Sequence, residues 1–109
     1  MHELAIAESV VSSVLERTEG HHVKVVRLRI GRLAGVVPDA LTFCFELAAA
    51  GTPLEGATLE IEQVHGRAQC RSCGDEFGLV DAFLLCECGS ADVQLLSGSE
   101  LSVTSVEVA

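Results

Sequence analysis

From Glu3 to Thr18 the apolar residues Leu4, Ala7, Val11, Val14 and Leu15 recur at intervals of three and four, which places them on one stripe of a helix. Glu3 and Glu8 lie near its start, where the helix dipole favours acids, and Gly20 supplies the stop. The period then shortens to two. In "VKVVRLRIGRL", Val26, Leu28 and Ile30 alternate with Arg27 and Arg29, which predicts a half-buried strand from Val23 to Leu33. "PDALTFCFELAAAG" restores a helical pattern, with Pro38 suited to the first turn and Gly51 to the stop, so a second helix is expected over Pro38 to Ala50. In "ATLEIEQV", Leu59 and Ile61 alternate with Glu60 and Glu62 as a second strand.

Between His65 and Ser99 the patterning lapses into four cysteines, several glycines and no long periodic segment, as in a small module stapled by metal. The closing "ELSVTSVEVA" is β-branched and too apolar for a free tail, so it is expected to rejoin the sheet of the first half. The expected fold is α+β: two helices packed on a small mixed β-sheet, with an inserted zinc-ribbon-like module built on four cysteines. The first domain would comprise residues 1–65 plus 98–109 and the zinc-binding domain residues 66–97, with Gly66 and "SGS" at 97–99 as hinge points.

Composition narrows the function. A chain of 109 residues that is 49% hydrophobic can bury one core and carry a small satellite. No basic, apolar and small-residue sequence of a signal peptide opens it, and no apolar run is long enough to cross a bilayer, so a cytoplasmic location without membrane contact is expected. There the five cysteines, 44, 70, 73, 86 and 88, read as metal ligands or thiols rather than disulfides. Seven Lys+Arg against 16 Asp+Glu give a net charge of -9, which removes the electrostatic attraction behind most nucleic-acid affinity, so no nucleic-acid partner is expected. The basic cluster Lys24, Arg27, Arg29 and Arg32 reads as the wet side of a sheet, or as a face for an acidic partner.

In "CRSCG" the spacing of Cys70 and Cys73 lets both thiolates reach one metal while later backbone N–H groups bond to the sulfurs. The second pair, Cys86 and Cys88 in "CECGS", is one residue tighter, and twelve residues separate the pairs, room for a short hairpin. The reading is a structural zinc site of four sulfurs, with Cys86 the ligand most affected by the short spacer. A reduced dithiol or redox pair is the alternative, without a thioredoxin-like βαβ context. Cys44, between Phe43 and Phe45, reads as a buried small hydrophobe.

"MHELAIAES" places His2 and Glu3 between the amino terminus and the first helix. A methionine before a bulky His should be retained, so the Met1 amine, the His2 backbone nitrogen and the His2 imidazole can form adjacent chelate rings. The Glu3 nitrogen or carboxylate would complete a square-planar set of the kind preferred by Ni(II) or Cu(II). A solvated His is the ordinary alternative at such a position. His21, His22 and His65 read as exposed turn or hinge residues.

These stretches together resemble the HypA/HybF family of nickel metallochaperones, through "MHELAIAESVV", "LRIGRLAGVVPDALTFCFEL", "GATLEIEQV", the cysteine module and "CGSADVQLLSGSELSVTSVEV". The resemblance implies a nickel-binding domain with its ligand at His2 and the neighbouring Glu3, and a zinc domain held by Cys70, Cys73, Cys86 and Cys88. It also implies delivery of Ni(II) to the large subunit of a [NiFe] hydrogenase with the maturation GTPase HypB, and in some relatives a role alongside urease maturation proteins. The chain departs from the family pattern at "CEC", where a second C-x2-C is usual, and in having Gly74 and Gly89 where some relatives carry His beside the cysteines. A further carboxylate ligand of some relatives is not transferred to Asp39.

A carrier, not an enzyme, is expected. "GRLAG" lacks the Gly-Lys-Ser/Thr ending of a phosphate-binding loop, and no nucleophile and base are recognisable. The alternative is a zinc-ribbon adaptor that recognises a protein without transferring nickel.

Overall fold

The computed structural model describes residues 2–79 and 84–109. Its elements in chain order are α1 (Glu3–Thr18), β1 (Val23–Gly31), α2 (Pro38–Ala49), β2 (Thr58–Val64), β3 (Gly66–Cys70), β4 (Glu76–Leu79), β5 (Val93–Ser97) and β6 (Leu101–Val108). The strands form two three-stranded sheets, ordered β2-β1-β6 and β4-β3-β5. Two compact units result, one of Met1–Arg29, Val36–Glu62 and Ser102–Ala109, the other of Ile30–Gly35 and Gln63–Leu101.

In the first unit, β1, α2 and β2 make a parallel crossover. The Val23 N–H donates to the Pro53 carbonyl at 3.0 Å, and further along Arg27 meets Glu60 and Arg29 meets Glu62, so both strands advance in the same sense. β6 runs the opposite way: the Ala109 N–H donates to the His22 carbonyl at 2.9 Å, and Thr104 Oγ1 to the Arg27 carbonyl at 3.3 Å. The sheet is therefore mixed.

α1 packs against α2, and the core gathers Ala7, Val10, Val11 and Val14 from α1, Val23, Val26 and Leu28 from β1, Leu41, Phe45 and Ala49 from α2, and Leu54. Each fully buried Val, Leu or Phe contributes about 1.5–3 kcal/mol relative to exposure. The buried stripe of α1 differs from the expected one. Leu4, in the first turn, is 46% exposed, Leu15 on the flank is half-buried, and Val10 takes their place.

Two element ends also differ from expectation. β1 stops at Gly31 rather than Leu33, because the chain turns there and the Ala34 N–H donates back to the Gly31 carbonyl at 3.0 Å. α2 stops at Ala49, one residue early. Cys44 is half-buried rather than buried, on a helix whose Phe43 and Leu47 face solvent.

The basic stripe on β1 is matched from both sides. Arg27 Nε lies 2.9 Å from Glu60 Oε1 on β2, and its Nη2 lies 2.6 Å from Glu107 Oε2 on β6. Arg29 Nε is 2.7 Å from Glu62 Oε1. The acidic partners of these two arginines lie in neighbouring strands of the same sheet.

In the second unit β3 is central. It pairs antiparallel with β4, from Gly66 opposite Leu79 to Gln69 opposite Glu76, and with β5, from Arg67 opposite Ser97 to Cys70 opposite Val93. Among the described residues a core cluster gathers Ala68, Cys70, Cys86 and Val93, with Phe77 and Leu79 packed against them. The segment Ile30–Gly35 joins this unit through backbone bonds from the Gly31 N–H to the Glu100 carbonyl (2.7 Å) and from the Leu33 N–H to the Gly98 carbonyl (2.8 Å). Gly98 adopts φ 113°, and a methyl group on it would lie 2.7 Å from the Gly66 Cα. A side chain fits neither that conformation nor that space.

Candidate metal centres

The cysteine constellation forms at the end of β3. Cys70 closes that strand, and the next four residues turn so that the Gly74 N–H donates to the Cys70 carbonyl at 2.9 Å while the Cys73 N–H points at Cys70 Sγ, 3.4 Å away. The second half repeats this with one residue fewer: the Gly89 N–H donates to the Cys86 carbonyl at 2.9 Å. Each turn ends on a glycine in the left-handed region, Gly74 at φ 82° and Gly89 at φ 92°. The "CEC" spacing is thus accommodated by a tighter turn that delivers both thiols to the same point. Ser72 Oγ and Ser90 Oγ, 2.9 Å apart, and the Arg71–Asp92 ion pair at 3.0 Å tie the two turns together.

All four sulfurs lie within 4.8 Å of one another, and among the described residues this is the one cluster of its kind. Cys70 Sγ is 3.7 Å from Cys88 Sγ, and Cys73 Sγ is 3.6 Å from Cys86 Sγ. A tetrahedron with zinc–sulfur bonds of about 2.3 Å has edges of about 3.8 Å. The spacing fits that cage and is far beyond the roughly 2.05 Å of a disulfide. One thiol of each half is buried (Cys70, Cys86) and one exposed (Cys73, Cys88), so a cation would be gripped between the small core and solvent.

The electrostatics favour a cation as well. The Cys73 N–H, outweighing the effect of burial, draws the Cys70 thiol down to about 6. Cys73 feels the Asp75 N–H pulling it down, but burial and the thiols of Cys86, Cys70 and Cys88 prevail and push it up to about 12. Cys86 is raised too: the Cys88 N–H lowers it, while burial and the adjacent Cys88 and Cys70 thiols win. One thiolate therefore opposes the next. A dication among them reverses that repulsion, and four thiolates leave it no open position for substrate.

The amino terminus belongs to the other unit. Met1, whose amine is an expected nickel donor, lies outside the described residues. His2 is the N-cap of α1; its carbonyl accepts the Ile6 N–H at 3.1 Å while its side chain makes no capping bond. The backbone at His2 is thus bonded into the helix while its imidazole is exposed. Glu3 Oε2 accepts the Val37 N–H at 3.2 Å, a contact across 34 positions that no local sequence signal announces. That N–H, followed by Glu3's own, holds its carboxyl below the usual range. His21, His22 and His65 are exposed and stand outside the cysteine cluster.

Four thiols brought together at tetrahedral spacing define a protein able to hold a metal ion. The family model for "Hydrogenase/urease nickel incorporation, metallochaperone, hypA" matches residues 1–108. Hydrogenase maturation factor HypA of Trichormus variabilis is 45% identical over 108 residues, covering 99% of this chain and 96% of that one. Its counterpart in Geobacter metallireducens is 48% identical over 109 residues, covering 99% of each. In fold the chain resembles the solution structure of the Ni metallochaperone HypA from Helicobacter pylori, with TM-score 0.68, 21% identity, and coverage of 99% and 97%. The chain belongs to the HypA family of hydrogenase maturation metallochaperones. Among the described residues no helix is long and apolar enough to cross a membrane.

Proposed function

We propose that this chain carries Ni(II) to the large subunit of a [NiFe] hydrogenase in the cytoplasm, acting with the partner GTPase HypB, and that the same cargo can serve urease maturation proteins. Nickel is held at the amino terminus by the Met1 amine, the His2 backbone nitrogen and the His2 imidazole, with Glu3 as the fourth donor. Such a nitrogen-rich set suits the square-planar preference of Ni(II). Zinc is held by Cys70, Cys73, Cys86 and Cys88 and is structural. The observation that carries the reading is His2 itself: an N-cap residue whose backbone is bonded into α1 while its imidazole is exposed and makes no capping bond. A site on a chain end can be remodelled when a partner docks, which suits cargo that must be released.

The test is a calorimetric Ni(II) titration of the untagged, zinc-loaded chain beside His2→Ala. Near-stoichiometric binding lost in the variant, with zinc content unchanged, supports the carrier. Equal binding by both, or none by either, leaves a zinc-ribbon adaptor whose function lies in its protein partners.

A further inference from the structure

β6 is an edge strand: β1 lies on one side of it and, among the described residues, no strand lies on the other. Every residue of a strand carries a backbone N–H and C=O, and along an edge those facing outward have no ladder to join. The opposite edge of the same sheet, β2, carries Glu60 and Glu62, charges of the kind that discourage a further strand. β6 has one charged side chain, Glu107, and Arg27 already holds it at 2.6 Å. The rest of the strand is serine, threonine, leucine and valine, with Val103 and Val108 exposed. Beside this edge a groove of about 410 Å³ separates β6 from α1, lined by Ser13, Val14 and Arg17 of the helix and by residues 103–106 of the strand. Val14 is its buried floor, and Ser13 and Arg17 are exposed. Ser105 and Glu107 reach Arg27, so by strand alternation Thr104 and Val106 are turned to the face that α1 covers. In a chain of net charge -9, Arg17 makes no ion pair among the described residues.

We infer that the β6 edge is a docking site for an extended peptide segment of a partner protein, which adds a fourth strand to the sheet and turns an acidic side chain toward Arg17. The recognition has two parts. Backbone bonds to an edge select an extended conformation whatever the sequence, while the groove beside the edge reads alternate side chains. Val14 and Val106 offer those side chains an apolar surface, and the Arg17 guanidinium attracts an acid and repels a base.

The probes are two capped peptides of alternating valine and threonine, identical except for a central glutamate in one and a central lysine in the other. Each is titrated into the full-length, zinc-loaded protein while amide exchange is followed residue by residue. The glutamate peptide should protect alternate amides of β6 and bind about threefold to fivefold more tightly than the lysine peptide. Arg17→Glu, a change at an exposed position, should reverse that preference. A fully N-methylated glutamate peptide, which has no backbone donor, should not bind. Failure of the glutamate peptide to protect β6 overturns the inference, and so does a preference that Arg17→Glu leaves unchanged. Protection of β6 that grows with protein concentration when no peptide is present, together with a dimer in sedimentation, also overturns it and gives the edge to a second copy of the chain.

Discussion

Gly31 and Gly98 pass backbone to backbone, so closely that a methyl group on Gly31 would penetrate the carbonyl of Gly98 and lie 2.5 Å from the Ser99 nitrogen. Backbone cannot swing aside as the end of a long side chain can. Gly31→Ala should therefore cost about 2–3 kcal/mol or more, at the severe end of small-to-large changes. Urea unfolding of the zinc-loaded protein checks it, with Gly35→Ala as the comparison. At Gly35 a methyl group meets nothing within 4 Å, and the cost is that of a left-handed φ of 74° alone, about 1–2 kcal/mol.

Chelating zinc should unfold the second unit ahead of the first. Among the described residues, Cys70 and Cys86 are both cage thiols and members of the core cluster with Ala68 and Val93, so losing the metal also loosens the packing of that cluster. Amide exchange with and without a chelator is the measurement. Protection should vanish across β3, β4 and β5 while β1 and α1 retain theirs, and simultaneous loss in both units would contradict it.

Cys86→Ser should release zinc as readily as Cys73→Ser. The two sulfurs sit 3.6 Å apart, and the short turn ending at Gly89 brings Cys86 fully into the cage. Zinc content after dialysis against a weak chelator reads this directly. Near-full retention by Cys86→Ser alone would show three sulfurs and a different fourth ligand.

Acetylating the amino terminus, or placing a tag before Met1, should abolish specific nickel binding while leaving zinc content at wild type. The amide that replaces the amine is a poor donor at neutral pH. Unchanged nickel affinity in the blocked protein would remove Met1 from the ligand set.

Much of this was legible in the chain. The three-and-four spacing placed α1 at Glu3–Thr18, and "CRSCG" with "CECGS" pointed to four sulfurs meeting at one place. What escaped was set by distant partners. Leu33 continues the apolar alternation of β1, but the strand ends two residues earlier, where Gly31 meets Gly98. Leu4 fits the stripe of α1 by spacing, yet spacing cannot tell that the first turn lies at the margin of the core. The bond from the Val37 N–H to Glu3 joins the starts of two different helices, 34 positions apart, which no local pattern announces.

Arg27 is bound by acids on both neighbouring strands, Glu60 on β2 and Glu107 on β6. Side chains alternate faces along a strand, so a slip of β6 by one residue would swing Glu107 to the opposite side and bring Val106 or Val108 beside the guanidinium. The same holds for Glu60 on β2. Among 16 acidic side chains and only seven basic ones, this arginine works as a registration pin: it rewards one alignment of three strands and penalises its nearest competitors. β6 needs such a pin more than most strands, since almost all of its residues are exposed and burial does little to distinguish its two faces.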